Sequence, residues 1–293
     1  MRAIIWWAMS RIVRILIATA ALVLVGSVMG YGVWPSGPKE VLVYAAPTFA
    51  VLAEDAAWQM GGKVSVVVMG SVAAVRQVQL GAKPDVILSV DAELVNFLSS
   101  YRKVVELGRF ELIALCREKL RLEDMGRVKI GLADPNIAPI GYRAISALYW
   151  LSARLNIIDL EELEGSLSVK FAPSPDGRTV TIDTRHVSVS GRFKMREDLA
   201  VTFTMLENGA VDCIFAHTPF AVSRNLIGRY HMLRMPEEIS FARDPPVRFK
   251  AITTIGEIEV KPFTAVAIVF TEQGERYVDR VLSLNLSRYG LMK

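Results

Sequence analysis

Short β-branched runs alternate with stretches of helical periodicity along most of this 293-residue chain, and that alternation restricts the fold more than any other feature. Residues 41–46 (Val-Leu-Val-Tyr-Ala-Ala) read as a buried strand. Phe49, Leu52, Ala53, Ala56, Ala57 and Met60 then fall on one face of a helix, which Gly61-Gly62 ends. Residues 64–69 form a second strand, Gly70-Ser71 opens a second helix toward Leu80, residues 85–89 are a third strand, and a helix follows at about 92–98. This spacing predicts βαβ units around a parallel sheet. Residues 112–116 close the first series with an apolar strand, and 128–132 begin a second. Pro139 suits a first helical position, and Ile140, Ala144, Leu148, Leu151 and Leu155 form the inward stripe of a long helix. Strands are expected at 166–171 and 180–189 around the turn Pro175-Asp176-Gly177, then at 211–216, 230–234, 249–259 and 265–270. Helices are expected at 196–208, capped by Gly209, and at 274–289.

The start of the chain is of a different kind. Arg2, Arg11 and Arg14 precede residues 15–34, which carry no charged side chain. Such a run spans roughly 30 Å as a helix, the thickness of a bilayer core, with the arginines held inside the cell. The rest of the chain is then exported. An uncleaved membrane anchor is expected, because the run exceeds the core of a signal peptide; small residues at Gly26, Ser27 and Gly30 keep cleavage open.

Composition narrows the function. The chain is 52% hydrophobic and 22% charged, which suits a folded body and excludes collagen-like or disordered classes. Three of its 34 basic residues and none of its 30 acidic ones precede Lys39, so the body is nearly neutral and lacks the basic footprint of a nucleic-acid binder. No Gly-x-Ser-x-Gly elbow, His-Glu-x-x-His or P-loop occurs, so no catalytic residue, metal ligand or cofactor is assigned. Cys116 and Cys213 lie in apolar runs without metal-site spacing. Two buried free thiols are expected, with a disulfide between the segments the alternative in an oxidising exterior.

Four junctions follow the carboxyl ends of expected strands: Ala45-Ala46-Pro47-Thr48, Gly70-Ser71-Val72, residues 134–141, and Ala216-His217-Thr218-Pro219. Helix N-termini present unpaired N–H groups and a positive dipole end, and the crevice beyond parallel strands is where open α/β sheets bind ligands. The implied ligand is a small oxyanion. Thr48 and Ser71 offer hydroxyl donors, although each also suits a plain helix cap. An imidazole at His217 is placed either to donate to the anion or to serve the structure alone. Arg143 is expected to run along the lobe surface or pair across the cleft, with contact to the ligand the alternative.

From residue 41 to about 291 the chain resembles the archaeal-type tungstate/molybdate-binding proteins of ABC importers. The stretches carrying the resemblance are Val-Tyr-Ala-Ala-Pro-Thr (43–48), Gly-Ser-Val-Ala-Ala-Val-Arg (70–76), Pro-Asp-Val-Ile-Leu-Ser-Val-Asp (84–91), Asn-Ile-Ala-Pro-Ile-Gly-Tyr-Arg (136–143), Glu-Asn-Gly-Ala-Val-Asp-Cys-Ile-Phe (207–215) and Met-Pro-Glu-Glu-Ile (235–239). The resemblance implies an α/β, two-lobed class II periplasmic-binding-protein fold, each lobe a mixed, mostly parallel sheet flanked by helices, behind the N-terminal transmembrane helix. Residues 1–38 would be signal or anchor and linker, 39–125 the first part of lobe 1, 126–216 lobe 2, and 217–293 the return to lobe 1. It also implies a monomer on the outer face of the membrane, handing its anion to a permease and ATPase.

The residues expected at the anion are Thr48, Ser71, Ile140, Gly141, Tyr142, Ala216, His217 and Thr218. The chain departs from the family in three places. Pro47-Thr48 replaces Gly-Ser, and Ala138 and Ala216 stand where the family has the aspartate and glutamate that expand coordination around the metal centre. Capture of a tetrahedral oxyanion by hydrogen bonds is therefore expected, tungstate or molybdate foremost. The alternative is a tethered receptor or a divergent binding protein for another anion such as sulfate or phosphate, without transport of tungstate.

Overall fold

The computed structural model describes residues 40–61 and 63–292, so the expected membrane segment lies outside the described residues. Among the described residues, no helix is long and apolar enough to cross a membrane. The described residues form one compact unit. Within it are two five-stranded sheets and a third sheet of four strands.

The first sheet contains β1 (Val41–Ala45), β2 (Val64–Val68), β3 (Val86–Ser89), β4 (Lys103–Arg109) and, returning from far along the chain, β14 (Thr264–Val269), in the order β2-β1-β3-β14-β4. β1 pairs in parallel with β2 and β3, while β14 runs antiparallel to β3 and β4. The expected crossovers are present as α1 (Ala50–Gln59) and α2 (Ser71–Gln79). The segment after β3 is a 3-10 turn, Ala92–Phe97, instead of a full helix.

The second sheet has the order β11-β5-β10-β6-β9, from β5 (Leu112–Cys116), β6 (Ile130–Ala133), β9 (Phe193–Arg196), β10 (Cys213–His217) and β11 (His231–Arg234). β5 is its single reversed strand, antiparallel to both β10 and β11. The helices of this half are α3 (Pro139–Ala153), α4 (Leu160–Leu167), α5 (Leu199–Glu207) and the short α6 (Thr218–Ser223). α7 (Glu272–Ser283) follows β14 and packs on α1, where the buried Tyr277 hydroxyl donates to the Ala53 carbonyl at 2.9 Å.

Two expectations about this organisation are corrected. The first passage between sheets falls at Phe110-Glu111, not at residues 125–126, because β5 finds both partners in the second sheet. The return does not begin at residue 217: β11 also hydrogen-bonds into the second sheet, and the chain reaches the first only at β14. The free-thiol expectation fails as well. Cys116 and Cys213 are direct register partners on β5 and β10 and form a disulfide across 97 residues of chain. A covalent link over a loop of that length stabilises a fold by on the order of 2–5 kcal/mol.

The third sheet has the order β13-β12-β8-β7, from β7 (Phe171–Pro173), β8 (Thr179–Asp183), β12 (Arg248–Thr253) and β13 (Gly256–Val260). Its β7–β8 hairpin turns at Gly177, whose φ of 67° only glycine adopts without strain. Residue 166, expected in a strand, is instead in α4, and β8 stops at Asp183. This sheet supports the loop between β6 and α3. The Asn136 side chain donates to the Thr184 carbonyl at 2.8 Å and accepts from the Thr254 N–H at 2.9 Å, so the two loops at one end of the added sheet hold the segment leading to Ala138.

Candidate functional site

The carboxyl ends of β1, β2, β3, β6, β9 and β10 converge on one small cavity. It is lined by Ala46, Pro47 and Thr48 after β1, Gly70 and Ser71 after β2, and Val90 after β3. Ala138, Pro139 and Ile140 from the start of α3, Leu199 from the start of α5, and His217 at the end of β10 complete it. The space is about 10 Å³, room for roughly one water, so any larger guest requires its walls to separate. Far larger grooves lie elsewhere, such as one of about 840 Å³ beside the third sheet, but its walls mix Asp176, Asp244 and Glu259 with Arg178, Arg248 and Lys261. Buried lining residues and convergent helix starts, not volume, mark the small cavity.

The starts of α2 and α3 and of the 3-10 turn Pro47–Phe49 have no side-chain cap, nor does α6, which begins at His217. Pro47, Pro139 and Pro219 sit at first or second positions and carry no N–H, and the Thr218 N–H goes to the Glu111 carbonyl. The N–H groups left without intrahelical acceptors are therefore those at the start of α2 and that of Ile140 in α3, where positive dipole ends face the cavity. One donor is already engaged across the two halves: the Ala73 N–H of α2 reaches the Ile137 carbonyl at 3.1 Å. Gly70 permits that approach, since a Cβ there would sit 2.3 Å from the same carbonyl oxygen.

Of the eight expected residues, Thr48, Ser71, Ile140 and His217 line the cavity. The Thr48 hydroxyl and His217 Nδ1 share a hydrogen bond of 2.7 Å between the two halves, while His217 Nε2 is buried with no partner among the described residues. The imidazole is enclosed edge-on by Phe110 and Phe263, with ring centroids at 5.1 and 4.6 Å. Burial first, and the Arg143 charge second, hold its pKa well below the ordinary histidine value, so the ring is neutral at pH 7. Ser71 Oγ accepts from the Val90 N–H at 3.2 Å and keeps its own hydrogen to donate.

The other four are placed differently. Gly141 packs where α3 crosses its own leading loop, a Cβ there falling 2.4 Å from the Ala133 carbonyl oxygen. Thr218 directs its N–H and hydroxyl to the Glu111 carbonyl, at 3.1 and 3.3 Å. Ala216 lies inside β10, opposite Ile113, and does not line the cavity. The Tyr142 hydroxyl donates to Asp91, and burial followed by the Asp91 charge raises its pKa well above the usual phenol value.

Asp91 is the residue that sequence reasoning missed. It is 1% exposed and receives Arg143 Nη1 at 2.7 Å, so the cross-cleft role expected for Arg143 is what the structure contains. Its Oδ1 accepts the Glu93 N–H, and Arg143 spends its remaining donors on the Lys261 carbonyl while lying over Phe263 at 4.3 Å. The signal was there: an acidic residue directly after a buried strand, with an arginine inside an apolar helix face. Every charge in this cluster is matched, leaving the cavity without a free carboxylate. Among the described residues no group of three or more His, Cys, Asp or Glu side chains is arranged to hold a metal ion.

Residues 40–254 match the family model described as bacterial extracellular solute-binding protein. An uncharacterized solute-binding protein of Staphylothermus marinus is 23% identical over 250 residues, covering 75% of this chain and 69% of that protein. In fold, the chain is similar to the periplasmic molybdate-binding protein of Azotobacter vinelandii, with a TM-score of 0.55, 15% identity, and coverage of 87% of this chain and 99% of that one. The regulatory domain of HypT from Salmonella typhimurium is similar too, with a TM-score of 0.52 and 14% identity over 87% of this chain and all of that one, 100%.

Proposed function

Because the chain belongs to the family of bacterial extracellular solute-binding proteins, we propose that it captures a small tetrahedral oxyanion, tungstate or molybdate foremost, between its two lobes and delivers it to an ABC permease and its ATPase. The observation that carries this reading is the convergence of helix starts without side-chain caps on a cavity free of carboxylates. Unpaired N–H groups and dipole ends of one sign favour an anion, and the hydroxyls of Thr48 and Ser71 add donors at close range. In this reading the N-terminal segment tethers a monomeric body to the outer face of the membrane.

Ala138 sets the mode of binding. It lines the cavity where the resembling family carries a carboxylate, so the anion is held by hydrogen bonds without added oxygen ligands on its central atom. That same residue favours a second reading, in which sulfate is the physiological anion. Admission requires the lobes to part where the chain leaves the first sheet, near residues 110–111, and where it re-enters it, near residues 261–263. Closure is then driven by contacts the anion makes with both halves.

Titration calorimetry of the purified full-length protein with tungstate, molybdate, sulfate and phosphate tests the reading. Micromolar or tighter binding of tungstate or molybdate is the expected result. A preference for sulfate selects the second reading, and the absence of binding by all four overturns both.

A further inference from the structure

We propose that His217 couples anion capture to proton uptake: its imidazole, tied to Thr48 across the two halves and carrying a second ring nitrogen without a partner, becomes imidazolium when a dianion fills the cavity. This inference rests on the oxyanion reading and deepens it. Neutral Thr48 and His217 carry one polar hydrogen each, and in a loaded site that closes with their mutual bond re-formed, that bond consumes one whichever ring nitrogen is protonated, so the pair turns a single donor toward the guest. Protonation raises that to two and adds a positive charge beside the anion.

The surroundings leave that charge no other source. Phe110 and Phe263 face the ring from the two passages between lobes, and neither ionises. Arg143 of α3 lies on Phe263, but its charge is already matched by Asp91, which also holds the Tyr142 hydroxyl. Lys261 turns its ammonium to Glu93 and Glu259, and Glu111 pairs with Arg234. Burial, with Arg143, keeps the empty site's imidazole neutral; a dianion in contact reverses that balance. The step is balanced: one dianion and one solvent proton enter together, and both leave on release.

Calorimetry of the full-length protein in buffers of different ionisation heat reads the protons taken up, with molybdate and sulfate as separate probes. At pH 6 uptake approaches one proton per anion, falling toward zero by pH 8.5, and affinity weakens by up to about tenfold per pH unit across that window. His217→Gln keeps a neutral donor and is expected to bind with no proton uptake and a flat pH profile. Binding by the unsubstituted protein without uptake at pH 6, or uptake that survives in His217→Gln, overturns the inference alone. Failure of both probes to bind overturns the oxyanion reading and this inference with it.

Discussion

At the periphery, α4 and α7 begin at Asp159 and Thr271, whose side chains accept from the N–H groups of Glu162 and Gly274. At the cavity, α2 and α3 begin at Gly70 and Ala138, which have no side chain able to accept. A missing cap costs about 1 kcal/mol at an ordinary helix start. Leaving several uncapped around one point makes sense where an outside oxygen supplies the missing acceptor. α5 is instructive because it does both: Leu199 reaches the cavity wall, yet Asp198 has already taken the N–H groups of Ala200 and Val201. A ligand is therefore to be sought where several α-helix starts are left bare around one point, not at every bare start, since the turns Glu237–Ile239 and Leu286–Tyr289 are bare too and do not line the cavity.

The sharpest way to disturb the bare side of this comparison is to remove what holds α3 in place. Arg143→Met leaves Asp91 buried beside the Tyr142 hydroxyl without its cation, and breaking a buried pair in this way costs about 3–5 kcal/mol. Denaturant unfolding checks it. A loss below about 1 kcal/mol means that Asp91 reaches solvent and that the cluster does not anchor the cavity helix.

Ser71→Ala addresses the donors themselves. A hydrogen bond to a charged partner is worth roughly 1.5–3 kcal/mol, so oxyanion affinity is expected to fall about ten- to a hundredfold. The Val90 N–H loses its acceptor as well, costing about 1 kcal/mol or more of stability, so affinity is to be measured well below the unfolding midpoint. Unchanged affinity for every anion that binds would remove the cavity from consideration.

A smaller effect separates the two regions by pH. The folded pKa of His217 is depressed, so between that value and about 6.5 the unfolded chain binds more protons than the folded one, and stability rises with pH. The anion-free protein should therefore lose up to about 1.4 kcal/mol per pH unit as pH falls below roughly 6.5. His217→Gln should remove that component. Melting temperatures from pH 4.5 to 7.5 read the slope, and an identical profile in the variant would mean that His217 is not the group titrating.

Much of the cavity's lining was legible because its signals are local. Thr48, Ser71, Ile140 and His217 each sit at a strand-to-helix junction that periodicity alone locates. What escaped was decided by pairing at a distance. β5 follows β4 after two residues, and only its partners β10 and β11, about a hundred residues on, assign it to the second sheet; the same pairing brings Cys116 to Cys213. β4 carries a charged side chain at every third position and lies at an edge of its sheet, and β9 is short and basic, so neither stands out as a buried strand. The third sheet is assembled from two segments more than sixty residues apart, and nothing local in either predicts the other. Tyr142 was misplaced for a similar reason: Asp91, the acceptor of its hydroxyl, lies 51 residues earlier in the other lobe.

The smallest expected effect is also the control on which the comparison depends. Asp159 accepts from the Glu162 N–H at 2.8 Å at the exposed start of α4 and does not line the cavity. Asp159→Ala should cost about 1 kcal/mol, and toward the lower end of the usual range, because Glu161 and Glu162 remain in the first turn to favour the positive dipole end. Oxyanion affinity should stay within about twofold, since no ligand contact is touched and distant sites behave independently. Denaturant midpoints and calorimetry on the same preparation give both numbers. If Asp159→Ala weakens anion binding as much as Ser71→Ala does, affinity is following overall stability instead of local donors. Bare and capped helix starts would then differ in sequence without differing in what they do.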